Sequence, residues 1–174
     1  MASHMTLRPA RADDTAALAA LGRDSFVAKF GTLYSPADLA RFLRSSHSEI
    51  AVSQELADPA YRIVLAERDS ALAGFLKLVM RCGWPEHARG HSPIELKQLY
   101  TAPSATGQGI GAALMDRALA EAGRFNADEI QLSVWSGNDG AQRFYRRYGF
   151  AKVADIEFWV GEQCDDEFLF AKML

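Results

Sequence analysis

Gly107-Gln108-Gly109-Ile110-Gly111 lies between an extended apolar segment, Ile94 to Thr101, and an amphipathic segment of helical period, Ala112 to Arg124. Glycines at a strand-to-helix junction let backbone N–H groups approach a bound group with no side chain in the way. The helix that follows aims its first amides, and the positive end of its dipole, at the same point. Strand, glycine loop and helix N-terminus together predict an anion cradle, most often one for phosphate or pyrophosphate.

Several phosphate loops share this outline. A nucleotide triphosphatase loop closes on Gly-Lys-Ser/Thr, but Gly111 is followed by Ala112 and Ala113, so nothing there holds a γ-phosphate and its magnesium ion. A dinucleotide loop fits better, since Gly107, Gly109 and Ala112 satisfy a loose G-x-G-x-x-A. That loop also needs an acid about 20 residues on, at the far end of the next strand, to hold a ribose. Asp128 and Glu129 stand at about that distance, but they precede the apolar run Ile130, Leu132, Val134 and so sit at the wrong end.

A second motif follows the strand that ends at Trp135: Asn138-Asp139-Gly140-Ala141-Gln142-Arg143-Phe144-Tyr145-Arg146-Arg147-Tyr148-Gly149-Phe150. With Gln108-Gly109-Ile110-Gly111 upstream, the pair resembles the GNAT superfamily of acetyl-CoA-dependent N-acetyltransferases, whose Q/R-x-x-G-x-G/A loop precedes N-x-x-A-x-x-F-Y-x-x-x-G-F. The likeness covers roughly Ile94 to Phe150. One departure stands out: the family's usual Gln or Arg at the start of the loop is Thr106, which removes a side-chain contact to the pyrophosphate and leaves the backbone cradle.

The resemblance implies an α/β (α+β) fold with a central, mostly antiparallel mixed sheet of about seven strands, flanked by helices and splayed between the fourth and fifth. The pantetheine arm of acetyl-CoA would pair with backbone at Leu99, Tyr100 and Thr101, since an amide-rich chain adds to a sheet only where an edge is open. Thr106, Gly107, Gln108, Gly109, Ile110 and Gly111 would hold the pyrophosphate, joined by Asn138, Phe144 and Arg147. Asn138 is also expected to cap the helix it precedes. Arg146 and Arg147 reach either coenzyme phosphates or solvent.

Acetyl transfer needs an uncharged amine, and a free alkylamine with a pKa near 10.4 arrives at neutral pH as ammonium. Glu95 is the candidate base, directly or through a water; it also reads as a solvated carboxylate alternating with Ile94 and Leu96. Tyr145 is the candidate acid toward the coenzyme thiolate, with packing beside Phe144 as its alternative. Phe26, Tyr34, Trp84 and Trp159 are the candidate walls of the acceptor pocket. The enzyme would act by direct attack in a ternary complex. Flanking segments, Phe26-Val27-Ala28-Lys29-Phe30, Ser35-Pro36, Ile94-Glu95-Leu96-Lys97-Gln98-Leu99-Tyr100 and Phe168-Leu169-Phe170-Ala171-Lys172, are similar to the bacterial spermidine/spermine branch. That branch implies a small-molecule amine acceptor, with a polyamine foremost. Asp155, Glu157, Glu162, Asp165, Asp166 and Glu167 would either attract a polycation or simply face water. A non-catalytic acyl-CoA-binding regulatory module and an acetyltransferase for protein or peptide amines are the alternatives.

Composition bounds the rest. A chain of 174 residues with 49% apolar and 10% aromatic residues predicts one globular domain, 6–174, with residues 1–5 read as an expression scar. A net charge of −3, with no basic stretch, disfavours a nucleic-acid partner. No apolar run reaches membrane-spanning length, and Cys82 and Cys164 predict reduced thiols in a cytoplasmic monomer or homodimer. Cys82, His87 and His91 invite a metal, but Gly83, Pro85 and Gly90 oppose the helix that a four-residue His spacing needs, so no metal is expected and the segment reads as a mobile loop at the acceptor pocket.

Overall fold

The computed structural model describes residues 4–174. It contains seven strands, β1 (Met5–Pro9), β2 (Tyr61–Arg68), β3 (Ala71–Val79), β4 (Pro93–Thr101), β5 (Glu129–Trp135), β6 (Ala151–Val160) and β7 (Gln163–Met173). The helices are α1 (Thr15–Phe30), α2 (Pro36–Ser46), α3 (Glu49–Ala57), α4 (Ile110–Arg124) and α5 (Asp139–Arg147). The strands form one sheet in the order β1-β2-β3-β4-β5-β7-β6, antiparallel throughout except between β4 and β5. This is the expected mixed sheet. The proposed scar at residues 1–5 lies mostly outside the described residues; of its remainder, Met5 pairs with Arg68 at the start of β1.

Local chemistry explains most boundaries. Asp69 and Ser70 both take positive φ (49° and 67°), the left-handed pair that closes a two-residue hairpin between β2 and β3. Ser35 and Ser48 cap α2 and α3, their hydroxyls accepting from Asp38 N and Ala51 N at 3.1 Å each. Asp14 stands before α1 but does not cap it. Its carboxylate instead takes both terminal nitrogens of Arg8 at 2.8 Å, an interaction with β1 that local sequence does not reveal.

Two apolar layers cover the sheet. On one face α4 buries Ile110, Leu114, Met115 and Ala118 against β3, β4 and β5. On the other, Leu18 and Ala19 of α1 and Val52 of α3 pack on Ile63, Leu65 and Phe75. Leu18, Ala19 and Phe26 of α1 are buried, Ala17 is exposed, and Gly22 is buried among them. A side chain at Gly22 would strike the His47 ring, its Cβ lying 2.5 Å from Nδ1, so α1 turns its smallest residue toward that ring. Glu121 of α4 is 8% exposed although it is an acid. Its Oε1 accepts from Arg117 Nε at 2.6 Å and Arg124 Nη1 at 2.8 Å, and the paired charge lies down against the sheet-facing side of the helix.

β3 is buried along Ala73–Val79, as a central strand should be, and this includes Lys77 at 1% exposure. Its ammonium is paired with Glu55 of α3. Leu114 is fully buried at the centre of the α4 layer. Leu114→Ala should cost roughly 2–5 kcal/mol in chemical denaturation. Ile50→Ala, at a position 73% exposed, should stay within about 0.5 kcal/mol of the parent; comparable losses for the two would contradict this core.

Candidate active site

β4 and β5 run side by side for three residue pairs only, Pro93 with Glu129, Ile94 with Ile130 and Glu95 with Gln131. Beyond Glu95 they part, while β4 continues along β3 to Thr101 and β5 continues along β7 to Trp135. The pairing of β3 with β4 passes from Leu78–Leu96 to Lys77–Gln98, so Lys97 is an extra residue that bends β4 where it leaves its neighbour. The parting opens the sheet's own middle, and a cavity of about 650 Å³ fills the gap.

Gly107 and Gly109 adopt φ of 77° and 81°, and a Cβ built on either would meet no protein atom within 4 Å. Glycine serves here for the turn, and the space before it is open. Gly109 takes the N-cap position of α4, so the first-turn amides meet that space with no side chain across them. Ile110 is 1% exposed, so its side chain belongs to the core and only its main chain is available to a ligand. Gln108 Nε2 donates to Ser104 O at 3.1 Å, fixing the loop. Gly111 sits against Phe144 and Leu99, 3.8 and 3.9 Å from where its Cβ would lie. Arg147 is exposed, with its guanidinium 5.8 Å from the centre of the Phe144 ring.

Leu99, Tyr100, Thr101, Thr106, Asn138 and Tyr145 all line the cavity. Asn138 caps α5, Oδ1 accepting from Ala141 N at 3.2 Å. Buried Gln142 steadies the turn before it, donating to Ser136 O at 2.9 Å, a function its sequence context did not advertise. Tyr145 packs edge-on to Phe144 and Phe150 with centroids 5.4 and 5.9 Å apart. Burial pushes its phenol up to about 12, so it stays protonated at any physiological pH and can only donate.

Glu95, on β4 at the last paired position, also lines the cavity, its carboxylate against Gly83. Burial raises its pKa, partly offset by nearby Lys97. A carboxylate held above its usual range is a better proton acceptor near neutrality than a solvated one.

The four residues predicted as acceptor walls, Phe26, Tyr34, Trp84 and Trp159, meet at the same cavity. Phe42 of α2 joins them, tilted against Phe26 (4.5 Å) and edge-on to Phe158 of β6 (5.7 Å). The β6–β7 turn is tied over α2 by Asp38, which accepts from Glu162 N at 2.9 Å. Trp84 belongs to a segment expected to be mobile, yet that segment is anchored. Glu129 Oε2 accepts from Arg89 N and Gly90 N at 2.7 Å each, and Asp128 accepts from His91 N and Ser92 N at 2.7 and 2.8 Å. The two acids that fail as ribose ligands hold this loop instead. Cys82 and Cys164 are free thiols, and among the described residues no group of three or more His, Cys, Asp or Glu is placed to hold a metal ion.

The acidic tail divides in two. Asp155, Glu157, Glu162 and Asp166 face solvent, whereas Asp165 and Glu167 are each 9% exposed and turn inward. Asp165 accepts from the Tyr34 hydroxyl, and Glu167 lines the cavity. The period of β7 carries the signal that finds them: Asp165, Glu167, Leu169 and Ala171 share one face, and the last two are core residues.

A model of the acetyltransferase (GNAT) family matches residues 27–150, well over half of the chain. The chain belongs to that family and is an acetyl-CoA-dependent N-acetyltransferase. It is 28% identical to an uncharacterised N-acetyltransferase of Lactobacillus delbrueckii subsp. lactis, over 89% of each chain. It is 29% identical to one from Mycobacterium tuberculosis strain H37Rv, over 92% of this chain and 98% of the other. Its fold is similar to that of the PaiA N-acetyltransferase of Thermoplasma acidophilum in complex with coenzyme A, with a TM-score of 0.80, 22% identity and coverage of 98% and 99% of the two chains. Among the described residues no helix is long and apolar enough to cross a membrane.

His47 backs the aromatic wall. It is 1% exposed, its ring lies about 6 Å from those of Phe26, Phe42 and Tyr100, and neither ring nitrogen has a hydrogen-bond partner among the described residues. Burial, then the charges of Lys77 and Arg23, pushes its pKa down to about 4. The unfolded chain therefore takes up this proton first as pH falls, so stability present above the unfolded pKa near 6.5 drains away toward the folded value. Between pH 7 and 4.5 this histidine should remove roughly 2–3 kcal/mol of stability. His47→Leu should show a correspondingly shallower pH dependence in urea melts; an identical slope would contradict it.

Proposed function

We propose that this enzyme moves the acetyl group of acetyl-CoA to a primary amine of a small molecule, with a polyamine as the foremost acceptor, by direct attack in a ternary complex. The observation that carries this reading is the opening of the sheet after Glu95, because one cavity there meets Glu95, Tyr145 and the free side of β4. The glycine loop fits a pyrophosphate: open space in front, positive φ at Gly107 and Gly109, and α4 amides behind. Leu99, Tyr100 and Thr101 would offer backbone to the pantetheine amides, and Asn138 would offer its side chain. Phe144 would support the loop by packing, and Arg147 could reach a phosphate only by leaving that ring.

Glu95 would take the proton from the acceptor ammonium, directly or through one water. The freed amine pair then forms the C–N bond as the C–S bond breaks, and Tyr145 would give its proton to the departing sulfur. The second proton, shed by the new amide nitrogen, would restore the phenol through solvent, and Glu95 would release its proton to solvent. An ordinary thiol pKa lies near 8.5, below this phenol, but a thiolate leaving into the same dry pocket is raised by the same burial. Phe26, Tyr34, Trp84 and Trp159 would enclose the acceptor. The likeness to the spermidine/spermine branch supports a polyamine, and aromatic residues from α1, α2 and β6 give the cavity apolar surface for an aliphatic chain.

Tyr145→Phe should lower turnover about 10²-fold or more and leave coenzyme affinity nearly intact. An unchanged rate removes Tyr145 from the chemistry. Below its pKa Glu95 carries a proton and cannot accept another, so kcat/KM should fall on the acid side through a limb above the ordinary carboxylate range. Glu95→Gln should lose about 10² to 10⁴ of the rate and abolish that limb, leaving only the rise with amine deprotonation. A limb that survives the substitution would reassign the base. Thiol release with polyamines, amino acids, aminoglycosides and peptides, each with acetyl-CoA, tests the acceptor class. Release with peptides alone would favour a protein or peptide amine, and coenzyme binding without release would favour a regulatory module.

A further inference from the structure

We propose that Glu167 is an acceptor-recognition residue whose carboxylate holds a second, distal cationic nitrogen, so that the site selects α,ω-diamines and longer polycations over amines bearing one charge. The inference rests on the N-acetyltransferase reading of this cavity and specifies its acceptor.

Glu167 lies on β7 opposite Trp135 of β5, on the far wall of the gap from Glu95 on β4. It is 9% exposed, yet it lines the cavity, and its Oε2 has no hydrogen-bond partner among the described residues. The Ser133 hydroxyl is the hydrogen-bonding neighbour that favours its charge, while burial and Asp165 oppose it. Leaving a buried polar oxygen unmatched forfeits the hydrogen bonds it made in water, and the loss is greater for a charged group. A carboxylate in that condition, at the wall of an open cavity, is matched when a ligand brings the donor.

Lys77 is paired with Glu55, Lys97 of the lining donates to the Tyr61 hydroxyl at 3.1 Å, Lys29 of the lining is exposed near the end of α1, and none of them hydrogen-bonds Glu167 Oε2. Neighbouring Asp165 already has Tyr34 and Gln163 Nε2 as donors. Gln98 Oε1 on β4 and Glu167 Oε2 on β7 are the buried amide and carboxylate oxygens of the lining without a partner among the described residues, and Glu167 is the one of the two that can carry a negative charge. The same lining carries the aromatic side chains of Phe26, Phe42, Phe158 and Trp135 beside the two carboxylates. Two carboxylates with apolar surface beside them complement a molecule that is cationic at both ends and aliphatic between them. One nitrogen would lose its proton to Glu95 and be acetylated, and the other would stay charged against Glu167.

The test compares 1,4-diaminobutane, 1,8-diaminooctane and spermidine with butylamine and octylamine. The parent enzyme should favour diamines by about tenfold or more in kcat/KM, and Glu167→Gln should reduce that ratio at least about tenfold, chiefly through KM. Glu167→Asp, which keeps the charge but withdraws it by one methylene, should retain a preference and move its optimum toward longer diamines. Glu157→Gln, at an exposed position on β6, should behave as the parent. A parent ratio near one, or a ratio unaltered by Glu167→Gln in a folded protein, would overturn the proposal. All three tryptophans, Trp84, Trp135 and Trp159, line the cavity, so intrinsic fluorescence reads diamine binding in the presence of coenzyme A without turnover. Glu167-dependent diamine binding with no acetylation of any amine would keep this subsite and remove the catalytic reading. Equal acetylation of monoamines and diamines would do the reverse.

Discussion

The constraint on which the rest depends is the failure of β4 and β5 to stay together. Parallel strands in a sheet interior ordinarily share hydrogen bonds along their length, and here they share only three residue pairs. The residues past Glu95 turn one edge of β4 toward a cavity in the middle of the molecule. Exposed strand edges are a hazard because they invite pairing with another chain. An edge inside a cavity accepts a chain only if that chain is narrow and carries its own amides. The extra residue at Lys97 bends β4 away, and the side chains of β7 and α5 keep the gap from collapsing.

That opening sets the electrostatics. Groups at its rim are half dry, so burial raises the pKa of Glu95, of Glu167 and of the Tyr145 phenol alike. For Glu95 this shift would favour accepting a proton near neutrality, and for the phenol it secures the protonated form. Under the proposed chemistry, desolvation would suit these two side chains to opposite proton duties. Glu55, which also lines the cavity, is taken up by Lys77.

Much of this was legible in the sequence where the physics is local. The glycine turn at Gly107 and Gly109 and the Asn138 cap each depend on a few adjacent residues. The glycine loop and the four residues expected to enclose the acceptor sit in, or beside, such segments, and those four line the cavity. What escaped depends on partners far away in the chain. Asp14 abandons its cap for Arg8, which also binds Glu67 across 59 positions. Glu121 is buried because two arginines flank it. The loop from Cys82 to Ser92 looked mobile from its glycines and prolines, but two carboxylates at the start of β5 fix it. Glu167 was read by its charge when the phase of β7 placed it with Leu169 and Ala171.

Hydrogen–deuterium exchange with and without coenzyme A tests the open edge most directly. Peptides covering Leu99 to Thr101 and Gly107 to Gly111 should gain protection on binding, while the β1–β2 edge should not change. Coenzyme binding that leaves both segments exchanging at their free rates would contradict the account.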